Sequence, residues 1–227
     1  MLVEVKVLDH GVVQLLDTMP QENMDMEPVR AARISYGQDA RPGDADGRLL
    51  KYLIEHKHES VFEHCIFKFR IEAPVVVWWQ FVRHRIVSYN FQSGRYTEMA
   101  DTFYIPGENE WRLQSQTNKQ GSEGVIPSDE GRYLTDTLIF GMRRAVQLYE
   151  EAIKMGVAKE QARLFLPAWC LYYSAYVTMN ARSLIHFIKL RADSHAQWEI
   201  QEYARAMLKL FREKMPLTAE YYFGVAE

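Results

Sequence analysis

Cys65-Ile66-Phe67-Lys68-Phe69-Arg70-Ile71-Glu72 alternates apolar and charged side chains almost residue by residue. Phe67, Phe69 and Ile71 therefore share one face of an extended chain, and Lys68, Arg70 and Glu72 share the other. One dry face and one wet face mark a strand of an antiparallel sheet, because helices cover both faces of a parallel one. Toward the N-terminus, Leu2 to Leu8 predicts a further strand with Val3, Val5 and Val7 aligned. Glu27 to Ser35 and Gly47 to Lys57 predict helices, the second carrying Leu49, Leu50, Leu53 and Ile54 at helical spacing. Toward the C-terminus, Pro74 suits the first turn of a helix through Val75–Arg83. Farther on, the polar stretch Glu108 to Asp129 predicts a mobile surface loop.

Beyond that stretch the sequence predicts helices almost to the end. Ser128 suits the cap of a helix through Lys154 that Gly156 ends. A second helix is predicted from about Ala168 to Leu190. A last one opens with a capping box at Ser194-His195-Ala196-Gln197 and stops before Pro216. Strands early and helices late predict an α+β fold, an antiparallel sheet with long helices forming one domain over residues 1–227.

The chain has 227 residues and a formal net charge of −3, with 48% hydrophobic and 25% charged residues. That composition is ordinary for a globular protein and excludes a disordered or fibrous one. A slightly acidic total gives no support for sequence-blind binding to nucleic acid or a membrane surface. No apolar stretch approaches the roughly 20 residues needed to span a bilayer. The N-terminus MLVEVKVLDHG lacks the pattern of a signal peptide, which predicts a soluble, cytoplasmic protein. Cys65 and Cys170 are too few for a disulfide framework or a cysteine-based zinc site and read as free thiols.

The charge is unevenly spread. Ala73 to Thr97 contains no Asp or Glu but holds Arg83, Arg85 and Arg95, so a +3 window sits in a −3 chain. Arginines held near one another repel, and either distant carboxylates or an anionic ligand must satisfy them. Arg83-His84-Arg85 at a helix end would also complement the negative end of its dipole. Ser88, Asn90, Gln92, Ser93, Gly94, Arg95 and Tyr96 come next, a run of short donors with a glycine that permits close backbone approach. Such a mixture suits a phosphate together with a heterocycle. Neither G-x-G-x-x-G nor a Walker A sequence is present, so a nucleotide here would occupy a non-Rossmann site.

Two further segments carry polar residues at telling spacings. His56, His58, Ser60, Phe62, Glu63 and His64 precede the alternating strand, without the carboxylate pattern that a metal site needs. In the segment that opens with Asn180-Ala181-Arg182-Ser183, Arg182 and His186 stand four residues apart on one helical face. Arg191, between two predicted helices, is open to pairing with Asp193 or Glu199, or to binding a ligand. Arg163 before Pro167 carries little signal alone.

Arg83-His84-Arg85, seven residues, then Ser93 resembles the signature of the flavin-dependent thymidylate synthases. His58 to His64 resembles that family's His-x-Ser/Thr-Pro-Phe-Glu-His segment, and Asn180 to Gln201 resembles its C-terminal stretches. The resemblance implies a homotetramer with FAD and active sites shared between subunits. It implies methylation of dUMP to dTMP, with 5,10-methylenetetrahydrofolate as one-carbon donor and NADPH as reductant. Carried over by position, it assigns His58, Ser60, Arg83, His84, Arg85, Phe91, Asn180, Ala181, Arg182 and His186 to the flavin. Gln80, Phe81, Val82, Arg83, Phe91, Gln92, Ser93, Gly94, Arg95, Arg163 and Arg191 fall at dUMP positions. Arg191 takes the catalytic role of favouring ionisation at N3 of the uracil, so no protein nucleophile and no metal are implied. Two departures stand out: Phe91 replaces a Glu common in the signature, and Val61 replaces the usual Pro. A binding protein that kept both sites but lost turnover, with Phe91 as the lesion, is the rival reading. A nucleic-acid-binding protein using the Arg83–Arg95 patch is a third.

Overall fold

The computed structural model describes residues 3–35, 37, 45–99 and 102–225. It opens with a hairpin, β1 (Val3–Val7) and β2 (Gly11–Met19), followed by α1 (Glu27–Ile34) and α2 (Ala45–Glu55). A 3-10 turn, Glu59–His64, leads into β3 (Ile66–Pro74), α3 (Val75–Phe81) and β4 (Ser88–Phe91). The polar stretch after β4 carries a small hairpin of β5 (Leu113–Gln114) and β6 (Ser122–Glu123). Next come α4 (Ser128–Lys154) and α5 (Lys159–Ala162). The chain finishes with β7 (Tyr172–Asn180), α6 (Ala181–Arg191), α7 (Trp198–Lys214) and α8 (Pro216–Phe223).

The main sheet has the order β1-β2-β3-β7-β4, and every neighbouring pair is antiparallel. The alternation in β3 is realised as read: Phe67, Phe69 and Ile71 are fully buried, and each contributes about 1.5–3 kcal/mol of burial. On the same dry side lie Val13 and Leu15 of β2 and Ala175, Val177 and Met179 of β7. Leu184, Ile188, Tyr203, Met207, Leu210 and Phe211 of α6 and α7 complete this core. Gly11 lies where the chain meets α7, and a Cβ there would strike the Tyr203 hydroxyl and the Val7 carbonyl. Away from this core, α4 lies over Met99, Phe103, Ala162, Leu166 and Leu171, contributing Met142, Tyr149 and Ala152 to a second cluster.

Several expectations need correction. Residues from about Ala168 to Leu190 do not form one helix, because Tyr172–Asn180 is the strand between β3 and β4. Tyr172, Ala175 and Met179 have helical spacing, yet Ala175, Val177 and Met179 also alternate, and a short apolar run satisfies both periods. Pairing with β3 from Ile66↔Asn180 to Pro74↔Tyr172 decides for the strand. Helix α3 stops at Phe81 and leaves Arg83-His84-Arg85 in a turn, where the Tyr89 hydroxyl donates to the carbonyls of Phe81 (2.7 Å) and His84 (3.2 Å). Ser128 is the first residue of α4, not its cap, which is Pro127. Ser194 does not cap α7 either: Gln197 takes that position without a side-chain cap bond.

The helix beyond Pro216 was not expected. Its first turn is held by buried Asp25, whose carboxylate accepts from the amides of Leu217 and Thr218, each at 2.9 Å. A carboxylate at a helix N-terminus satisfies its free N–H groups and the positive end of the dipole.

Candidate active site

Helix α6 springs directly from β7, the strand between β3 and β4. Asn180 ends the strand and caps the helix, its Oδ1 accepting from the Ser183 amide at 2.8 Å. Arg182, His186 and Lys189 then succeed one another up a single helical face, with Arg191 in the last turn. Opposite them lies the turn after α3. Together they enclose a cavity of about 600 Å³, lined among others by Arg83, His84, Arg85, Arg182, His186 and Arg191.

Arg191 is the centre of this arrangement. Its Nε donates to His84 Nε2 at 3.1 Å, its Nη1 to Gln80 Oε1 at 2.8 Å and its Nη2 to the Gln80 carbonyl at 3.4 Å. Neither carboxylate considered from the sequence is its partner: Asp193 bonds His195, and Glu199 bonds Arg112. Burial first, and then the neighbouring Arg83 charge, hold the Arg191 pKa below its ordinary value. Among the described residues, Arg83, Arg85 and Arg191 form no ion pair with a carboxylate, leaving three guanidiniums at the cavity with charge to spend on a ligand.

His84 is almost completely buried and its pKa is lowered to about 4, by desolvation first and then by Arg191 and His186. It is neutral at physiological pH, as an acceptor for Arg191 must be. Its folded pKa lies below the ordinary 6.5, so its contribution to stability is full above pH 6.5 and disappears as pH falls through about 4. A His84→Gln variant, which accepts a hydrogen bond without titrating, supplies the comparison. Chemical denaturation between those pH values should show wild type losing on the order of 3 kcal/mol relative to His84→Gln. Parallel pH profiles would show that His84 is not held neutral.

The other expected residues divide into groups. Arg182 is tied to the 3-10 turn, donating to Glu59 at 3.3 Å and Glu63 at 2.6 Å. That turn brings the His58–His64 segment beside the cavity, but Glu59 and Phe62 line it whereas His58 and Ser60 do not. His58 stacks near Tyr52, ring centres 6.1 Å apart. Phe81 and Ala181 are fully buried, so their side chains belong to the core. Val82 is exposed next to Arg83. Phe91 packs edge-on against Trp78 at 4.8 Å, and the Gln92 amide extends the sheet ladder by donating to the Ser174 carbonyl at 2.9 Å.

Ser93, Gly94, Arg95 and Arg163 do not line the cavity. They meet elsewhere: Arg95 pairs with Glu160 at 3.0 Å, and Arg163 Nε donates to the Glu160 carbonyl at 3.2 Å. The Arg163 side chain also backs Gly94. One chain thus holds two separate sets of the expected residues.

Lys189 and Tyr222 line the cavity without having been expected, the Lys189 ammonium lying 4.1 Å from the centre of the Tyr222 ring. Helical spacing from Arg182 and His186 gave a signal for Lys189. Tyr222 had none, because α8 was not anticipated. No group of three or more His, Cys, Asp or Glu suited to a metal occurs among the described residues. Burial pushes the Cys65 thiol up to about 12 and also raises Cys170, which disarms both as thiolates.

Residues 14–217 match the family model described as thymidylate synthase complementing protein. A flavin-dependent thymidylate synthase from Kosmotoga olearia is 45% identical over 226 residues, covering 98% of this chain and 94% of the relative. The chain belongs to the flavin-dependent thymidylate synthase family. Another member, from Thermotoga neapolitana, is 42% identical over 98% of this chain and 95% of its own. The family fold extends to a solved structure of the UMP/dUMP methylase PolB from Streptomyces cacaoi bound with 5-Br dUMP. It superposes with a TM-score of 0.84 at 31% identity over 96% of each chain. As a family member the chain is an enzyme, with a mixed fold of helices and antiparallel sheet. No helix among the described residues is long and apolar enough to cross a membrane.

Proposed function

We propose that this chain, assembled as a homotetramer with FAD, converts dUMP to dTMP using 5,10-methylenetetrahydrofolate and NADPH in the cytoplasm. The observation that carries this reading is Arg191, a half-buried guanidinium at the cavity with no carboxylate partner among the described residues, aimed by Gln80 and neutral His84. Negative charge developing at N3 of a uracil beside it would be stabilised by a group already in place. That charge makes C5 a better nucleophile without a protein thiolate, in keeping with the inert Cys65 and Cys170.

The cavity fits a flavin dinucleotide in charge and form. Arg83, Arg85, Arg182 and Lys189 supply cations for a pyrophosphate, while Tyr222 and His186 offer rings beside them. Glu59, the carboxylate lining the cavity, is already bonded to Arg182. When bound, FAD supplies the redox chemistry, and the protein's task is to hold and orient the reactants. In this reading Arg182 and His186 would hold the flavin, whereas Arg191, bonded to Gln80, would meet the pyrimidine.

Ser93, Gly94, Arg95 and Arg163 sit away from Arg191 in one chain, and this separation supports a site completed by a second copy. There Arg95 and Arg163 would hold the dUMP phosphate. Purified protein should be yellow, lose its visible flavin band with NADPH, and regain it only with a suitable acceptor. A colourless protein that takes up no added FAD would contradict the reading.

A further inference from the structure

We propose that Glu199 and Gln197 are positioning residues, setting which end of the Gln80 amide is presented to Arg191. The proposal rests on the reading of Arg191 given above. Glu199, at the start of α7, is buried, and its carboxylate is surrounded by donors. Arg112 Nη2 lies 2.6 Å from Oε1, the Tyr104 hydroxyl 3.3 Å from the same atom, and Gln197 Nε2 2.8 Å from Oε2.

A carboxylate only accepts, so Gln197 must turn its NH2 toward Glu199 and its oxygen away. That oxygen faces Gln80 Nε2 at 3.4 Å. Gln80 is thereby left with its own oxygen toward Arg191, which accepts from Nη1 at 2.8 Å. A guanidinium only donates. An acceptor-only group at one end and a donor-only group at the other leave each intervening amide a single orientation. With Gln80 reversed, its NH2 would face the guanidinium, donor against donor, and Arg191 would lose the bond that aims it.

The scaffold around this relay is fixed independently. Gln201 Nε2 donates to the carbonyls of Ala196 at 2.7 Å and Ser194 at 3.4 Å, clamping the turn that carries Gln197. Arg112 lies over the Trp198 ring at 4.6 Å while binding Glu199, at the foot of the β5–β6 hairpin. Gln80, Gln197 and Glu199 do not line the cavity, so Gln197 and Glu199 act on it through the bond from Arg191 to Gln80. The Gln80–Gln197 contact is the longest on the path from Glu199 to Arg191 Nη1, the joint that ligand binding would tighten.

Three variants of the FAD-loaded enzyme test the relay. Gln197→Met keeps the side-chain length but breaks both amide bonds, and Glu199→Gln brings in a donor where the relay needs an acceptor. Arg112→Lys disturbs the hairpin anchor while keeping a cation on the carboxylate that faces Gln197. We expect the first two to lower kcat/KM for dUMP by about tenfold to a hundredfold, as small misplacements do, with FAD content unchanged. Combining them should cost little more than either alone. Arg112→Lys should stay within about threefold of wild type. Crystals of Gln197→Met should show the Arg191 guanidinium moved off Gln80. Arg191 unmoved in those crystals, or Arg112→Lys as impaired as the relay variants, would overturn the proposal. Wild type that makes no dTMP would defeat the functional reading instead, while the crystallographic comparison would still decide the relay.

Discussion

Arg191→Ala should lower dTMP formation by about 10²–10³-fold, the scale seen when one preorganised donor to a developing anion is removed. Bound FAD should be retained, because Arg83, Arg85, Arg182 and Lys189 remain at the cavity. Stability should respond in the opposite direction to activity. Arg191 is a partly buried cation beside Arg83, without a carboxylate among the described residues, so its removal relieves repulsion and desolvation. The thermal midpoint should therefore equal or exceed that of wild type, a trade of stability against function common at active sites. Arg191→Lys is not a rescue, since an ammonium cannot reproduce the separate bonds to His84, Gln80 Oε1 and the Gln80 carbonyl. Equal loss of flavin, stability and rate in Arg191→Ala would make the residue structural.

Phe187→Ala should cost about 3–5 kcal/mol, a large part of the 5–15 kcal/mol that holds a typical domain folded. Phe187 is fully buried on α6, stacked on Phe81 of α3 with ring centres 4.5 Å apart and planes 19° apart. The edge-on His84 ring lies 5.0 Å away. These three rings join the helix that presents Arg182, His186 and Arg191 to the turn that presents Arg83 and Arg85. Truncation opens a void beneath the site and frees His84, so flavin affinity should fall together with stability. Phe187→Leu, which refills most of that volume, should cost less than about 1.5 kcal/mol. Urea unfolding of the two variants checks the difference, and a loss below about 1 kcal/mol for Phe187→Ala would contradict the packing.

The residues differ in how much of this they disclosed in one dimension. Phe67, Phe69 and Ile71 announced the sheet because charged residues separate them, a pattern no helix shares. Residues Gly11–Met19 form a strand that was not anticipated, since the Val12-Val13 and Leu15-Leu16 doublets break the alternation and the ladder shifts between Leu15 and Asp17. Tyr172–Asn180 was hidden by side chains that satisfy both periods, and only pairing with β3 separates them. The first turn of α8 depends on Asp25, about 190 residues earlier, a partnership that no local pattern encodes.

The site shows the same division. The +3 window and the Arg182–His186 spacing were legible, and Arg83 and Arg85 of that window converge with Arg182 and His186 on one cavity, while Arg95 pairs with Glu160 elsewhere. What each arginine would bond was not. Arg191 finds Gln80 and His84 more than a hundred residues away, and Arg182 finds Glu59 and Glu63 across the same kind of gap. Glu199 looked like a nearby partner for Arg191, but the helix start turns it toward Arg112 and Tyr104. The two are still linked, through Gln197 and Gln80.

The most direct measurement is product formation by the FAD-loaded protein given dUMP, 5,10-methylenetetrahydrofolate and NADPH, resolved by chromatography. The proposed function predicts dTMP appearing in proportion to the folate and NADPH consumed, and nearly none with Arg191→Ala. A protein that binds FAD and dUMP but yields no dTMP would contradict it.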